Sequence, residues 1–276
     1  MAHKNKSNIS PYKTRQEKRQ EKQGPRARPP ELKGKHRVPD KIFSIDEAND
    51  RLFDIFKNHG FSHITHSERR ALAQFYVLLM ENQKKENFTR LLTLRDTAIR
   101  QFIDCLIVRD LTTLRFPLLD VGTGPGFPGI PLKVLFPEEK IILAEGVQRR
   151  VEFLKFVRAE MNLPTLDIIG RNVNPFFAYP VQGVITRAVE DVRNTLKNVL
   201  TCLQTGGRVY LMKGPNVDPE IPVAEQEMGE YYKLVEDHAY TLPHTQYDRR
   251  LLVYEKIKMG PLIDFDEEPW PEDNHD

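Results

Sequence analysis

Leu118-Leu119-Asp120-Val121-Gly122-Thr123-Gly124-Pro125-Gly126-Phe127-Pro128-Gly129 runs from a short apolar segment into glycines at alternate positions. Glycine lets the chain turn sharply and leaves no Cβ between the backbone and a ligand. The stretch reads as a strand, a loop shaped for close approach, and the start of a helix. A dinucleotide fold wants a third glycine where this chain has Phe127, so the spacing argues against a nicotinamide or flavin cofactor. The plain alternative is an ordinary tight strand-to-helix turn.

The order acid-x-Gly-x-Gly-x-Gly suits a nucleoside carrying an amino-acid tail, and so points to S-adenosylmethionine. Asp120 then orders the loop and its water-bridged contacts, Gly122 and Gly124 admit the methionine moiety, and Gly126 and Phe127 are expected with them among the cofactor-binding residues. Glu145 closes the next apolar run, 19 residues after Gly126. A carboxylate at such a strand end accepts both ribose hydroxyls.

Either side of this loop the pattern alternates. Strands are expected at 116–121, 141–145, 166–169, 181–186 and 208–212, with helices at 147–161 and 192–203. Two last apolar runs, near 231–240 and 251–256, have only a short turn between them and should pair as an antiparallel hairpin. Short apolar strands alternating with helices mean an α/β fold with an open, mostly parallel sheet, here seven-stranded and Rossmann-like. Ligands bind at the carboxyl ends of such strands. Before it, Ser44-Ile45-Asp46-Glu47 fits a capping box that opens a helix closed by Gly60; two more helices are expected at about 67–85 and from about 96. The organisation is then a basic arm (1–38), a helical N-terminal subdomain (39–110), the sheet core (111–258) and an acidic tail (259–276).

Charge sets the ends apart. Residues 1–37 hold twelve Lys/Arg against three Glu, and residues 259–276 hold seven acids and no Lys or Arg, although the whole chain of 276 residues is only +2. Both ends lack the apolar side chains that offset the entropy of ordering, so disorder is expected there. A basic arm suits nucleic acid through counterion release, or else serves only as a solubilising tail. No uncharged apolar run approaches the roughly 18 residues of a membrane span, and the first twenty residues have no apolar core of a secretory signal. A cytoplasmic protein without a membrane partner is expected, acting as a monomer. Cys105 and Cys202 both sit in apolar stretches, read as helical, and form no Cys-x-x-Cys. His59, His63 and His66 have no cysteine or acid at ligand spacing and read as surface residues, so no metal is expected.

The motif Asp120-Val-Gly-Thr-Gly-Pro-Gly-Phe-Pro-Gly-Ile-Pro131 closely resembles the small-subunit ribosomal RNA methyltransferase G family, also called glucose-inhibited division protein B. Asn87-Phe-Thr89 with Arg95-Asp96 resembles its N-L-T-x-x-R-D, with a gap three residues longer. Arg149-Arg150-Val-Glu-Phe-Leu154, Val184-Ile-Thr-Arg-Ala188, Tyr210-Leu-Met-Lys-Gly214 and Arg249-Arg250-Leu-Leu-Val253 resemble its later motifs in order. The likeness covers about 45–256. It implies a class I S-adenosylmethionine-dependent methyltransferase that methylates N7 of a guanine in the 530 loop of 16S ribosomal RNA, with that RNA or the small ribosomal subunit as partner.

By the same resemblance Gly122, Gly124 and Glu145 bind the cofactor, backbone at Arg171, Asn172 and Val173 holds the adenine edge, and Arg187 lines the site near both methyl donor and RNA. Arg187 and Lys213 are the expected positioning residues. Arg149, Arg150, Lys213, Arg249 and Arg250 are expected at RNA phosphate or the guanine edge, each of them otherwise a merely solvated cation. The chain departs from the family where R-H-x-x-D-S becomes Arg100-Gln101-Phe102-Ile103-Asp104-Cys105, and where Asp-Ser becomes Glu145-Gly146. A different RNA guanine, or an RNA-associating assembly protein that no longer transfers methyl groups, are the alternatives.

Overall fold

The computed structural model describes residues 37–187 and 189–260. The basic arm up to residue 36 and the acidic tail beyond residue 260 lie outside them. The described residues gather into one compact unit.

Three helical segments come first. Helix α1 (Ile45–Asn58) starts at Ser44, whose hydroxyl accepts the Glu47 N–H; the Glu47 carboxylate turns instead to Lys41 and Arg51. The complete reciprocal box belongs to α2 (His66–Gln83), where Thr65 and Glu68 cap each other. The third segment is interrupted. Helix α3 (Leu94–Thr97) passes into a widened π-helical stretch (Ala98–Ile103) before α4 (Asp104–Leu111). A π turn inserts a residue into the helical register and is frequent at functional sites. Here it carries Arg100 and Gln101 up to Asp104.

The sheet follows the expected alternation. β1 (Leu118–Val121), β2 (Ile141–Ala144), β3 (Leu166–Ile169), β4 (Val181–Arg187) and β5 (Leu203–Lys213) are parallel. β6 (Tyr232–Thr241) and β7 (Asp248–Lys256) form the antiparallel hairpin, and β7 also pairs antiparallel with β5. The order across the sheet is β3-β2-β1-β4-β5-β7-β6. The connecting helices are α5 (Gly129–Leu135), α6 (Gln148–Glu160), α7 (Val192–Asn198) and α8 (Glu220–Met228). This is the class I methyltransferase fold.

Period-two alternation sends successive side chains to opposite faces. Leu118, Leu143, Ile185, Tyr210 and Val253 enter one core, shared with the helical N-terminal part through Phe75 and Phe102. Leu119, Ile142, Val184, Val209 and Leu252 enter the other, under α7 and α8. Phe75 and Phe102 reach the glycine loop itself, their rings 5.1 and 6.0 Å from Phe127. The N-terminal helices therefore brace the glycine loop from one face of the sheet.

Several expectations shift. The helix expected at 192–203 ends at Asn198, and β5 starts at Leu203, taking Gly206 and Gly207 into the strand. Gly206 lies at φ +80°, a conformation that lets the strand kink rather than end. Cys202 consequently sits in a turn and not on a helix. His59 is buried, its Nδ1 2.7 Å from the Ile55 carbonyl oxygen, and so is no surface residue. Among the described residues no helix is long and apolar enough to cross a membrane.

Candidate active site

β1 delivers Asp120 to the carboxyl edge of the sheet, paired in register with Leu143 and Ile185 of its neighbours. Asp120 is fully buried. Its Oδ2 accepts from Thr123 Oγ1 at 2.6 Å and from the Gly129 N–H at 2.7 Å, which ties both ends of the glycine loop to the strand. Its Oδ1 is buried without a partner. Burial raises the Asp120 carboxyl to about 7, against the pull of those two hydrogen bonds and of Arg187. Glu145, directly after β2, is nearly buried as well. Its two oxygens accept from the Gly124 N–H at 3.0 Å and the Val147 N–H at 2.8 Å, and Arg150 stands 3.3 Å away.

The backbone of the loop is bent through the left-handed region at Gly122 (φ +66°) and Gly124 (φ +60°). A Cβ at Gly124 would meet nothing within 4 Å, so the loop is shaped around open space there. At the strand ends a cavity of about 230 Å³ is lined by Val121, Gly122, Ala144, Asn172, Val173 and Val189, among others. A carboxylate at a strand end, a buried acid with a free lone pair, and glycine backbone facing open space are a donor and acceptor set that fits S-adenosylmethionine.

Arg187 ends β4 between this edge and the helical part. Its guanidinium lies over the Phe127 ring at 5.4 Å, and its Nη1 is 3.5 Å from Asp104 Oδ2 and from the Arg100 carbonyl oxygen. Gln101 Oε1 accepts from its Nη2. Asp104, buried at the start of α4, also takes Arg249 Nε at 3.3 Å and the Tyr240 hydroxyl at 3.4 Å. Burial, reinforced by the neighbouring Asp104 charge, pushes the Tyr240 phenol far up. One carboxylate thus fastens three strand ends to the N-terminal helices.

Comparison with known proteins fits this geometry. Residues 68–250 match the family model described as rRNA small subunit methyltransferase G. Ribosomal RNA small subunit methyltransferase G 2 of Bdellovibrio bacteriovorus is 64% identical over 234 residues, covering 85% of this chain and 92% of that protein. The chain belongs to the rRNA small subunit methyltransferase G family. Ribosomal RNA small subunit methyltransferase G of Carboxydothermus hydrogenoformans is 33% identical over 76% of this chain and 92% of its own length. Among solved structures, TrmN from Thermus thermophilus aligns with a TM-score of 0.45 at 15% identity, over 58% of this chain and 53% of that one. As a family member the chain is an S-adenosylmethionine-dependent methyltransferase.

Around this methyltransferase G core the remaining basic residues divide. A cavity of about 560 Å³ beside Arg187 is walled by Arg90, Arg100, Gln101, Asp104, Lys213 and Arg249, among others. Lys213 and Arg249 therefore meet Arg187 at one opening. The Lys213 ammonium also bonds to the Glu190 carbonyl oxygen and, at 2.9 Å, to Glu220, which fastens the loop after β4 to α8. Arg250, one residue on, faces the other way and pairs with Asp237 and, at 3.2 Å, Asp218. Arg150 lies against Glu145, and Arg149 reaches Glu86 at 3.6 Å. Arg171 lies 5.5 Å over the Phe177 ring and bonds to Asn174. Asn172 covers Gly146, where a Cβ would fall 2.2 Å from Asn172 Oδ1. That contact gives a physical reason for glycine where the family pattern has serine.

Asp104, Arg100, Tyr240 and Tyr247 carried no role in the sequence reading. Asp104 and Arg100 belong to a motif that could be quoted, but their pairing with residues more than eighty positions away leaves no local signal. Both cysteines are buried, Cys202 with its thiol raised to about 12 and Cys105 higher still, chiefly by burial. Neither supplies a thiolate.

Proposed function

We propose that this methyltransferase modifies N7 of a guanine in the 530 loop of 16S ribosomal RNA, working as a cytoplasmic monomer without a metal. The observation that carries the reading is the composition of the larger cavity. Its wall holds five cations, Arg90, Arg100, Arg187, Lys213 and Arg249, and one carboxylate, Asp104, already engaged by Arg187 and Arg249. It has hydrogen-bond donors for phosphate and for guanine O6, and no free general base among the described lining residues. Guanine N7 carries an in-plane lone pair and no proton at neutral pH, so its alkylation needs no base. Catalysis then reduces to alignment and to electrostatics around a moving positive charge.

The roles follow. Gly122, Gly124, Gly126 and Phe127 shape the cofactor loop, with Asp120 as its internal brace. Glu145 accepts the ribose hydroxyls, and Asn172 and Val173, with the backbone of Arg171, border the adenine. S-adenosylmethionine supplies an electrophilic methyl group on a sulfonium when bound. Arg187, held by Phe127, Gln101 and Asp104, is the positioning residue between that site and the RNA cavity. Lys213 positions the loop after β4, and Arg249 presents its cation at the cavity wall. Arg149, Arg150 and Arg250 carry charge at the periphery for phosphate.

Methyl transfer from labelled S-adenosylmethionine to unmodified small-subunit particles, with the modified nucleotide mapped, tests the reading. Label at N7 of a 530-loop guanine is the expected result. Label on another base, or none despite tight cofactor binding, overturns it.

A further inference from the structure

Three of the cations walling the larger cavity are ion-paired within the protein: Arg187 and Arg249 share Asp104, and Lys213 pairs with Glu220. Arg90 and Arg100 form no ion pair with a carboxylate among the described residues. Arg100 is set apart by what holds it. Its guanidinium lies 4.8 Å from the centroid of the Tyr247 ring, and its Nε is buried without a hydrogen-bond partner. Arg249 approaches the same ring at 5.9 Å.

Tyr247 is 39% exposed and stands on the turn between β6 and β7. Its N–H donates to Thr245 Oγ1 at 3.0 Å, and its carbonyl oxygen accepts the Leu242 N–H at 3.0 Å. The ring therefore rests on a fixed turn rather than on a loose one. A guanidinium stacked on an aromatic face keeps its N–H donors in its own plane, free for a planar or tetrahedral anion. The Nε–H is covered by the protein, so an incoming acceptor meets the two Nη groups, which have no hydrogen-bond partner among the described residues. Asp104, the one carboxylate among the described lining residues, is taken by two other arginines, which leaves Arg100 open to an acceptor that enters the cavity.

We propose that Arg100, laid against Tyr247, binds a backbone phosphate of the RNA strand that carries the target base. The proposal rests on the reading that RNA enters this cavity. A phosphate is favoured over the guanine edge because a donor on N7 would occupy the lone pair that must attack. The cavity, at about 560 Å³, has room for a nucleotide with its phosphate.

The test measures affinity of the full chain for unmethylated small-subunit rRNA across a salt series, for Arg100→Gln, Arg100→Lys, Tyr247→Ala and Tyr247→Phe. Cofactor affinity is measured in parallel as a check of folding. Arg100→Gln should weaken RNA binding about tenfold at low salt and flatten the log–log salt slope by about one contact. Arg100→Lys should keep most of the slope, since it keeps the charge. Tyr247→Phe should match the parent, and Tyr247→Ala should lose affinity with little change in slope, since it removes the support and not the charge. An unchanged slope in Arg100→Gln, or a Tyr247→Ala indistinguishable from the parent, overturns the proposal. The base that receives the methyl group is read separately: label on another base overturns the guanine reading while the slope on the same RNA still decides the phosphate site.

Discussion

Asp104 and Arg187 meet across the boundary between the N-terminal helices and the sheet, Oδ2 to Nη1 at 3.5 Å, with the carboxylate almost wholly buried and the guanidinium about one-fifth exposed. The pair links the start of α4 to the end of β4. Arg187 in turn lies on Phe127, so the carboxylate on one element fixes a cation beside the glycine loop on another. The same Asp104 holds Arg249 at the end of the sheet. Two of the five cations in the cavity wall are thus held by a single buried acid.

Asp104→Asn should therefore act at a distance. It keeps the volume and one acceptor but leaves Arg187 and Arg249 without a countercharge. Breaking a buried pair from one side costs about 3 kcal/mol, read as a lower urea midpoint. Methyl transfer should fall through kcat more than through the Kd for S-adenosylmethionine, because Asp104 lines the larger cavity, the one proposed to take RNA. Equal loss in both would mean that the pair only supports the fold.

Gly122 and Gly124 share a left-handed backbone but differ in what surrounds them. Alanine at either strains the turn by about 1–2 kcal/mol. At Gly122 the new methyl would also press on Val189, whose Cγ2 is 2.8 Å from the Cβ position. At Gly124 it would enter empty space. Gly124→Ala should hence retain most of its stability and lose cofactor affinity by roughly tenfold or more, as an overpacked site does. Calorimetric titration with S-adenosylmethionine, beside thermal melting, separates the two variants; Gly124→Ala binding as tightly as the parent would show that the open space is not the cofactor's.

The strands were legible because each is a short apolar run that alternates between two cores, and the glycine loop because its spacing is itself a backbone instruction. Helix α8 was not, since only Ala224 and Met228 of its nine residues are buried and its apolar signal is thin. Pro219 at its start and Gly229 after its end were the available signs. The division of Arg249 from Arg250 follows from strand alternation and needed only the knowledge that both lie inside β7. What sequence could not show is the convergence on Asp104. Arg187 and Arg249 lie 83 and 145 residues from it, and such pairings exist only once the sheet has formed.

Stability should depend on pH through Asp120. Its carboxyl is raised to about 7 from an ordinary 3.8, mainly by burial. In the folded chain the neutral form is favoured, so the folded state holds a proton that the unfolded state has released between those two values. Stability from this group is full below about 4 and is lost as pH rises through about 7. Asp120→Asn removes the titration while keeping an acceptor for Thr123 and Gly129. The parent should thus lose urea stability relative to Asp120→Asn between pH 4.5 and 7.5 and change no further above pH 8. A difference that stays constant across that range would show that the buried carboxylate is ionised throughout.

Gly146 and Asn172 make a pair whose fit can be taken apart. Serine at 146 places its Cβ on the Asn172 amide oxygen, at the tip of a side chain that can swing away. Folding should accordingly change little, within about 1 kcal/mol. Asn172, however, lines the smaller cavity, so moving it disturbs the wall proposed to border the adenine. Gly146→Ser should weaken S-adenosylmethionine binding severalfold, and Asn172→Ala should do so by losing the same contact. The double variant should be no weaker than either single one, because the displaced side chain is already gone. Additive losses would mean that Gly146 and Asn172 act on the cofactor independently, and that the glycine answers to something other than its neighbour.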